Sequence, residues 1–495
     1  MIPTRAADVV VVGAGPAGLN AAVQAADGGA TVLLLDADAR PGGQYHRQPA
    51  DGAEPTGSDR DRQSEAAALM ARLTRHRRVT QRQQVSVWAA EPRVGGGALL
   101  YLADTSSGRA VDIGCVAAPR VVLATGAHDR SVPFPGWELP GVFTAGAAQA
   151  LAKGSRVLVG QRVLVAGTGP FLLPVAAGLI EAGATVAGVL EANHTRGWLR
   201  QPRAMAFAPE KVAEAARYTA TLTRHRVRVR PGRAVVAVHG TDRVEAATVA
   251  KLRPDWTIAP GSERRVDVDA VAVGYGFTAQ LDLALALGCE TEPGPDGSPV
   301  VTVDDRQRTS RSGVWAAGEI TGIGGAVLSA AEGALAGLAT TVDLGTLGER
   351  GHAARAAAWQ GARDRYRRFA AALSVVYPVR DGWRSWLSDA TVVCRCEEVP
   401  YRRVREAVEQ LGATGLRTMK LTTRCGMGWC QGRICGANLT ALTAGLSGRD
   451  AGDLADPMTL TTRTLVTPMS LSELAGDPDG FDPTPQDEAK EDSHD

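Results

Sequence analysis

The chain is 495 residues long and 44% hydrophobic, enough to bury two or three cores. Its 54 basic and 53 acidic side chains leave no net field to draw in nucleic acid. No apolar run approaches the roughly eighteen residues of a membrane span, and the first strand-like run starts at residue 8, too early for a signal peptide, so a cytoplasmic location is expected.

Val9 to Val12 is an unbroken apolar run of the kind a strand buried on both faces shows. It leads into Gly13-Ala14-Gly15-Pro16-Ala17-Gly18, an Ala-rich helix over Leu19 to Ala26, and a strand over Thr31 to Leu35 closed by Asp36. That order is the dinucleotide-binding fingerprint. Gly13 makes the turn, Gly15 admits a pyrophosphate to the backbone, and Gly18 lets helix and strand lie close. Asp36 stands where an acid reaches a ribose hydroxyl. The stretch from Gln48 to Gln63, rich in Gly, Pro and charge, reads as a mobile excursion.

The pattern recurs. Arg162 to Ala166 reads as a strand, Gly167-Thr168-Gly169-Pro170 as the turn, Val175 to Glu181 as a helix, and Thr185 to Leu190 as a strand ending at Glu191. Leu172 takes the third glycine position, which predicts a looser helix and a weaker pyrophosphate contact. Glu191 favours a free ribose 2′-hydroxyl, hence NAD or another adenine nucleotide, at Gly167, Gly169 and Glu191. Arg224 to Arg230 alternates arginine with other residues and predicts a half-buried strand with a solvated face.

Val121 to Gly126, ending in Ala124-Thr125-Gly126, and Val314 to Glu319, followed by Gly322 and Gly324-Gly325, bracket the second fingerprint. With the two fingerprints they resemble the two-dinucleotide-binding flavoproteins of the glutathione and thioredoxin reductase group, an α/β fold. The resemblance implies FAD held by Gly13, Gly15, Pro16, Ala17, Gly18, Asp36, Gly42, Gly43, Gln44, Thr125, Gly126, Gly318 and Glu319. Glu319 replaces the aspartate usual in that group. A helix from Ala326 to Leu338 would aim its opening amides at the isoalloxazine. His128 and Glu332 fall near this region and read as structural residues. The disulfide reductases also carry a redox-active cysteine pair, and here Gln44 and Tyr45 stand where one would begin, with no cysteine from Val116 to Gly288.

His352 to Leu373 is helical by propensity and reads as part of a linker. Beyond it five cysteines, Cys394, Cys396, Cys425, Cys430 and Cys435, fall within 42 residues. Clustered thiolates hold zinc or an iron–sulfur centre, and the CxC spacing of Cys394 and Cys396 is too tight for a zinc-ribbon knuckle. The pair, with the run Cys425-Gly426-Met427-Gly428-Trp429-Cys430-Gln431-Gly432-Arg433-Ile434-Cys435, resembles the bacterioferritin-associated-ferredoxin type of [2Fe-2S] domain. Four thiolates serve such a cluster, so one cysteine is spare. Cys394, Cys396, Cys425 and Cys430 are preferred as ligands, with Cys435 as the alternate, because Gly426 and Gly428 let the backbone fold tightly around the sulfides. Cys115 and Cys289 read as buried packing residues.

The stretches from Arg120 to Trp137, Leu139 to Val142, and Cys394 to Val399, with the Cys425 to Cys435 run, resemble the flavin and iron–sulfur component of hetero-oligomeric amine dehydrogenases: the A component of opine oxidases, the B component of hydrogen cyanide synthases, the alpha component of hydroxyproline and proline dehydrogenases and, without the cluster, that of sarcosine oxidases. Asp129 replaces their common glutamate. The resemblance implies a hetero-oligomer in which a beta subunit of the glycine/D-amino-acid-oxidase type oxidises the C–N bond, joined in some cases by a small third subunit, with a shared FMN. The alternative is a self-sufficient NAD(P)H-dependent flavin and iron–sulfur reductase. The expected domains are 1–126 and 276–345 for FAD, 127–275 for the inserted nucleotide domain, 346–388 for the helical linker, 389–450 for the [2Fe-2S] domain, 451–472 for an extension, and 473–495 for a disordered acidic tail. That tail carries nine acids and three prolines against one lysine.

Overall fold

A computed structural model describes residues 7–48, 60–108, 110–449, 465–467 and 469. The expected tail, most of 451–472, and 49–59 of the expected excursion lie outside them. Helix Arg60–Arg75 begins within the stretch read as a mobile loop.

Two parallel five-stranded sheets carry the fold. In the first, the order is Val314–Ala316, Val121–Leu123, Val9–Val12, Val32–Leu35, Val79–Arg82. In the second it is Val142–Thr144, Ala270–Gly274, Arg162–Gly167, Thr185–Glu191, Val229–Pro231. Each centres on a fingerprint strand, so one doubly wound unit is used twice. The second interrupts the first between Leu123 and Val314.

The helix after the first fingerprint spans Pro16–Asp27, three residues longer at its start than the Ala-rich run, because Pro16 is set for a first helical turn. Helix Ala326–Leu344 lies across it so closely that a Cβ on Gly333 would strike the Ala17 carbonyl and one on Gly337 the Ala21 carbonyl. By length and composition this helix could cross a membrane, but 72% of its apolar window is buried inside the protein.

In the second unit Leu172 does not loosen the fold. It opens helix Leu172–Glu181 and is 2% exposed in a core with Val165, Val175 and Ala272. Arg224 to Arg230 is not a half-buried strand. Helix Pro209–Arg224 runs to the first of these arginines, Arg226 turns the chain in a left-handed conformation, and the short edge strand Val229–Pro231 is exposed. The helical propensity of the preceding residues outweighs the alternation.

Helix Glu349–Val376 links the nucleotide units to the cysteine-bearing segment, in which three helices, Tyr401–Glu409, Leu416–Thr423 and Gly436–Ser447, follow a short strand, Val392–Cys394. Among the described residues this segment has no core separate from that of the second unit. Its Trp383, Trp386, Val404, Met419 and Leu439 share one buried cluster with Trp137, Val236, Trp256 and Tyr275 of the second unit. Trp386 donates to the Trp256 carbonyl at 2.9 Å, and Trp137 to that of Val392 at 2.6 Å.

Candidate functional site

At the first fingerprint the sterics match a phosphate cradle. A Cβ on Gly13 or Gly18 would meet main chain, of Ala124 and Gly13 respectively, whereas nothing lies within 4 Å of one on Gly15. The helix that Gly15 caps has no side-chain cap, so its opening amides face that open space. Gly42 donates to the Ala14 carbonyl at 2.8 Å, and a Cβ on Gly43 would come 2.9 Å from Gly15 Cα, so this loop crosses the turn. Asp36 is half-buried and accepts from the amides of Ala14 and Asp38, and burial pushes its carboxyl above its ordinary value. These residues fit a dinucleotide.

Glu319 lies just ahead of helix Ala326–Leu344. Its carboxylate accepts from Gly325 N at 2.8 Å, Gly324 N at 3.4 Å and Ser329 Oγ at 3.2 Å. It takes the amides of Gly324 and Gly325, just ahead of the helix that begins at Ala326, whose N-cap Gly325 supplies no side-chain cap. Burial pushes Glu319 up to about 7. Glu332 holds Gly318 N at 3.0 Å and Thr321 Oγ1 at 2.6 Å, and Arg367 of the linker helix pairs with it at 2.9 Å. Thr125 Oγ1 donates to the Gln280 carbonyl at 2.8 Å, tying the turn that closes the first unit to the returning chain.

At the second fingerprint the space over Gly169 is open, as over Gly15. Glu191 is 5% exposed and accepts from Thr168 Oγ1 at 2.7 Å and from the amides of Gly169 and Asn193 at 2.8 Å each. Burial outweighs these bonds and pushes it up to about 7. Beside it a cavity of about 430 Å³ is lined by His194, Thr195, Arg196 and Pro231, a basic wall that the fingerprint alone did not reveal.

The five clustered thiols meet. Cys394 contacts Cys425 and Cys435, Cys435 contacts Cys430, and Cys430 contacts Cys396. Cys394, Cys435, Cys430 and Cys396 therefore close a ring through the CxC link, while Cys425 hangs from Cys394 and is also held by Thr423. The neighbouring Cys425 and Cys435 hold the Cys394 thiol well below its ordinary value, and Cys435 holds Cys430 down as well. Among the described residues no three His, Cys, Asp or Glu side chains form a site for a single ion. A two-iron cluster instead asks for a pair of thiolates at each iron, which the ring can divide into. Cys396 and Trp429 are exposed, Trp429 by 80%. Of the two remaining cysteines Cys289 is buried, as expected, and Cys115 is half-buried.

The family pattern of the pyridine nucleotide-disulphide oxidoreductases matches residues 7–356. The first-named component of the opine oxidase of Rhizobium meliloti is 33% identical, over 94% of this chain and 87% of its own length. The HcnB component of the hydrogen cyanide synthase of Pseudomonas protegens is 32% identical, over 86% of this chain and 89% of its own. The L-proline dehydrogenase of P. horikoshii shares the fold at a TM-score of 0.67 and 20% identity, over 95% of this chain and 79% of that one. The chain is a flavin-dependent oxidoreductase of the pyridine nucleotide-disulphide oxidoreductase family, in the group that holds these opine oxidase and hydrogen cyanide synthase components.

Proposed function

We propose that the chain is the FAD- and [2Fe-2S]-containing electron-transfer subunit of a hetero-oligomeric dehydrogenase or oxidase. Its partner, a flavoprotein of the glycine/D-amino-acid-oxidase type, oxidises the C–N bond of an amino acid or secondary amine of the opine, hydroxyproline, proline, sarcosine or glycine class. The observation that carries this reading is the ring of thiols beside two nucleotide units that hold no redox cysteine pair. The relatives named as components of opine oxidase and hydrogen cyanide synthase support it.

Gly13, Gly15, Ala17 and Gly18 would bind the pyrophosphate of FAD, and Asp36 the ribose. Gly42, Gly43, Thr125, Gly126 and Gly318 would enclose the rest. FAD and the cluster supply two-electron acceptance and one-electron relay when bound. We assign the cluster ligands as Cys394, Cys396, Cys430 and Cys435, with Cys425 the spare thiol, which replaces the preference for Cys425 drawn from spacing. The amine site is assigned to the partner flavoprotein.

The test is anaerobic. The chain alone, and then its complex with a co-expressed partner, is mixed with a panel of secondary amines while flavin and cluster absorbance are followed. Bleaching only in the complex is expected, and bleaching of the chain alone by an amine refutes the assignment. The open Gly169 and the basic cavity favour a second reading, an NAD(P)H-dependent reductase. Rapid bleaching by NADH would select it.

A further inference from the structure

The chain passes between the two nucleotide units as a two-stranded antiparallel ribbon, Ala127–Asp129 against Phe277–Ala279. The outgoing strand leaves directly from Thr125-Gly126. In its middle, His128 Nε2 lies 2.9 Å from the carbonyl oxygen of Arg433. A carbonyl only accepts, so Nε2 carries the proton and Nδ1, buried and without a partner among the described residues, is bare.

Arg433 stands between Cys430 and Cys435. Its guanidinium reaches Asp282 with Nε at 3.2 Å and Nη2 at 3.1 Å, and Nη2 also donates to the Val466 carbonyl at 2.8 Å. Asp282 is 8% exposed and opens the helix Asp282–Ala286 that follows the returning strand. The thiol loop is thus gripped at its backbone from the outgoing strand and at its side chain from the helix that follows the returning one. A lysine could not reproduce this, since one nitrogen would have to serve a carboxylate and a carbonyl in different directions.

We propose that His128, Arg433 and Asp282 form a clasp that seats the cysteine loop on the flavin-side turn and fixes the path by which electrons pass between flavin and cluster. This rests on the FAD and [2Fe-2S] reading above. Bound FAD would supply two electrons and release its protons to water, and a bound cluster would take those electrons one at a time and pass each to a one-electron acceptor. All three are positioning residues.

The test uses the loaded full chain as wild type and as Arg433→Ala, Asp282→Asn, the double variant of these two, His128→Ala and His128→Gln. Flavin, iron and sulfide are counted, amide exchange is followed across residues 426–434, and microwave power saturation of the flavin radical reports its proximity to the reduced cluster. Loss of either partner of the Arg433–Asp282 pair should speed loop exchange on the order of tenfold or more, and the double variant should be no faster than the worse single one. With iron and flavin retained, the radical should saturate more easily in these variants and in His128→Ala. His128→Gln, whose amide can donate to the same carbonyl, should restore the wild-type response. A wild-type chain that holds no iron would sink the functional reading and the path with it. Iron present, with exchange and saturation unmoved in every variant, would overturn the clasp alone.

Discussion

Glu191 makes folding stability depend on pH in a direction opposite to that of most salt-bridged carboxylates. Burial lifts it from 4.5 to about 7 despite three donors. A carboxyl whose folded value is raised keeps its proton in the native state while the unfolded chain has released it. Its contribution is therefore complete below about pH 4.5 and lost as pH rises to about 7, and the gap is worth roughly 3 kcal/mol. Glu191→Gln removes the titration. The amide oxygen can keep Thr168 Oγ1 and Asn193 N, but its NH₂ faces the Gly169 amide, donor against donor, at a constant cost of about 1–3 kcal/mol. Urea unfolding of the flavin-free chain from pH 5 to 8.5, wild type against variant, isolates the term. The variant should be less stable at pH 5, with the difference closing or reversing by pH 8. A difference that stays constant across the range would refute the buried, proton-holding Glu191.

Glu319, also at about 7, should add a fall of the same sign that Glu319→Gln flattens in the same assay. Gly15→Ala and Gly18→Ala should part company. The first meets no protein atom and should lower flavin content while leaving the thermal midpoint of the flavin-free chain near wild type, whereas the second drives into the Gly13 carbonyl and should lower both. Trp386→Ala should cost about 3–5 kcal/mol and expose the linker after Val376 to limited proteolysis, since it removes the ring stacked on Trp256 at 6.3 Å. Unchanged cleavage would refute the shared core. About two irons and two acid-labile sulfides per chain are expected, with a reduced-cluster resonance lost in Cys435→Ser and retained in Cys425→Ser. The opposite pattern would restore the assignment drawn from spacing.

Both nucleotide units could be read from sequence because their strands are continuous apolar runs and their turns need glycine, signals that sit within some thirty residues of one another. What escaped depended on partners distant in the chain. Spacing could not rank Cys425 against Cys435, because the ranking proposed above rests on which thiols come near Cys394 and Cys430 after folding. The replacement of aspartate by Glu319 was visible, but not that its carboxylate would take the Gly324 and Gly325 amides. Leu172 broke the glycine pattern without harm because Ala145 and Gly274, far along the chain, leave room for it. His194 and Arg196 carried no motif, and only the neighbouring Pro231 strand makes them a cavity wall.

The common core of the second nucleotide unit and the cysteine segment bears on biogenesis. Trp137 and Trp256 are sealed by Trp383, Trp386 and Leu439, residues made more than a hundred positions later. While the ribosome is still short of residue 440, the middle of the protein holds an unfinished apolar surface, and chains of this length are prone to aggregate from such states. Truncation ahead of the cysteines should therefore yield an insoluble product rather than a smaller flavoprotein, and the thiol loop becomes ordered only once residues up to Leu439 have been made, after the sites for nucleotide are already shaped.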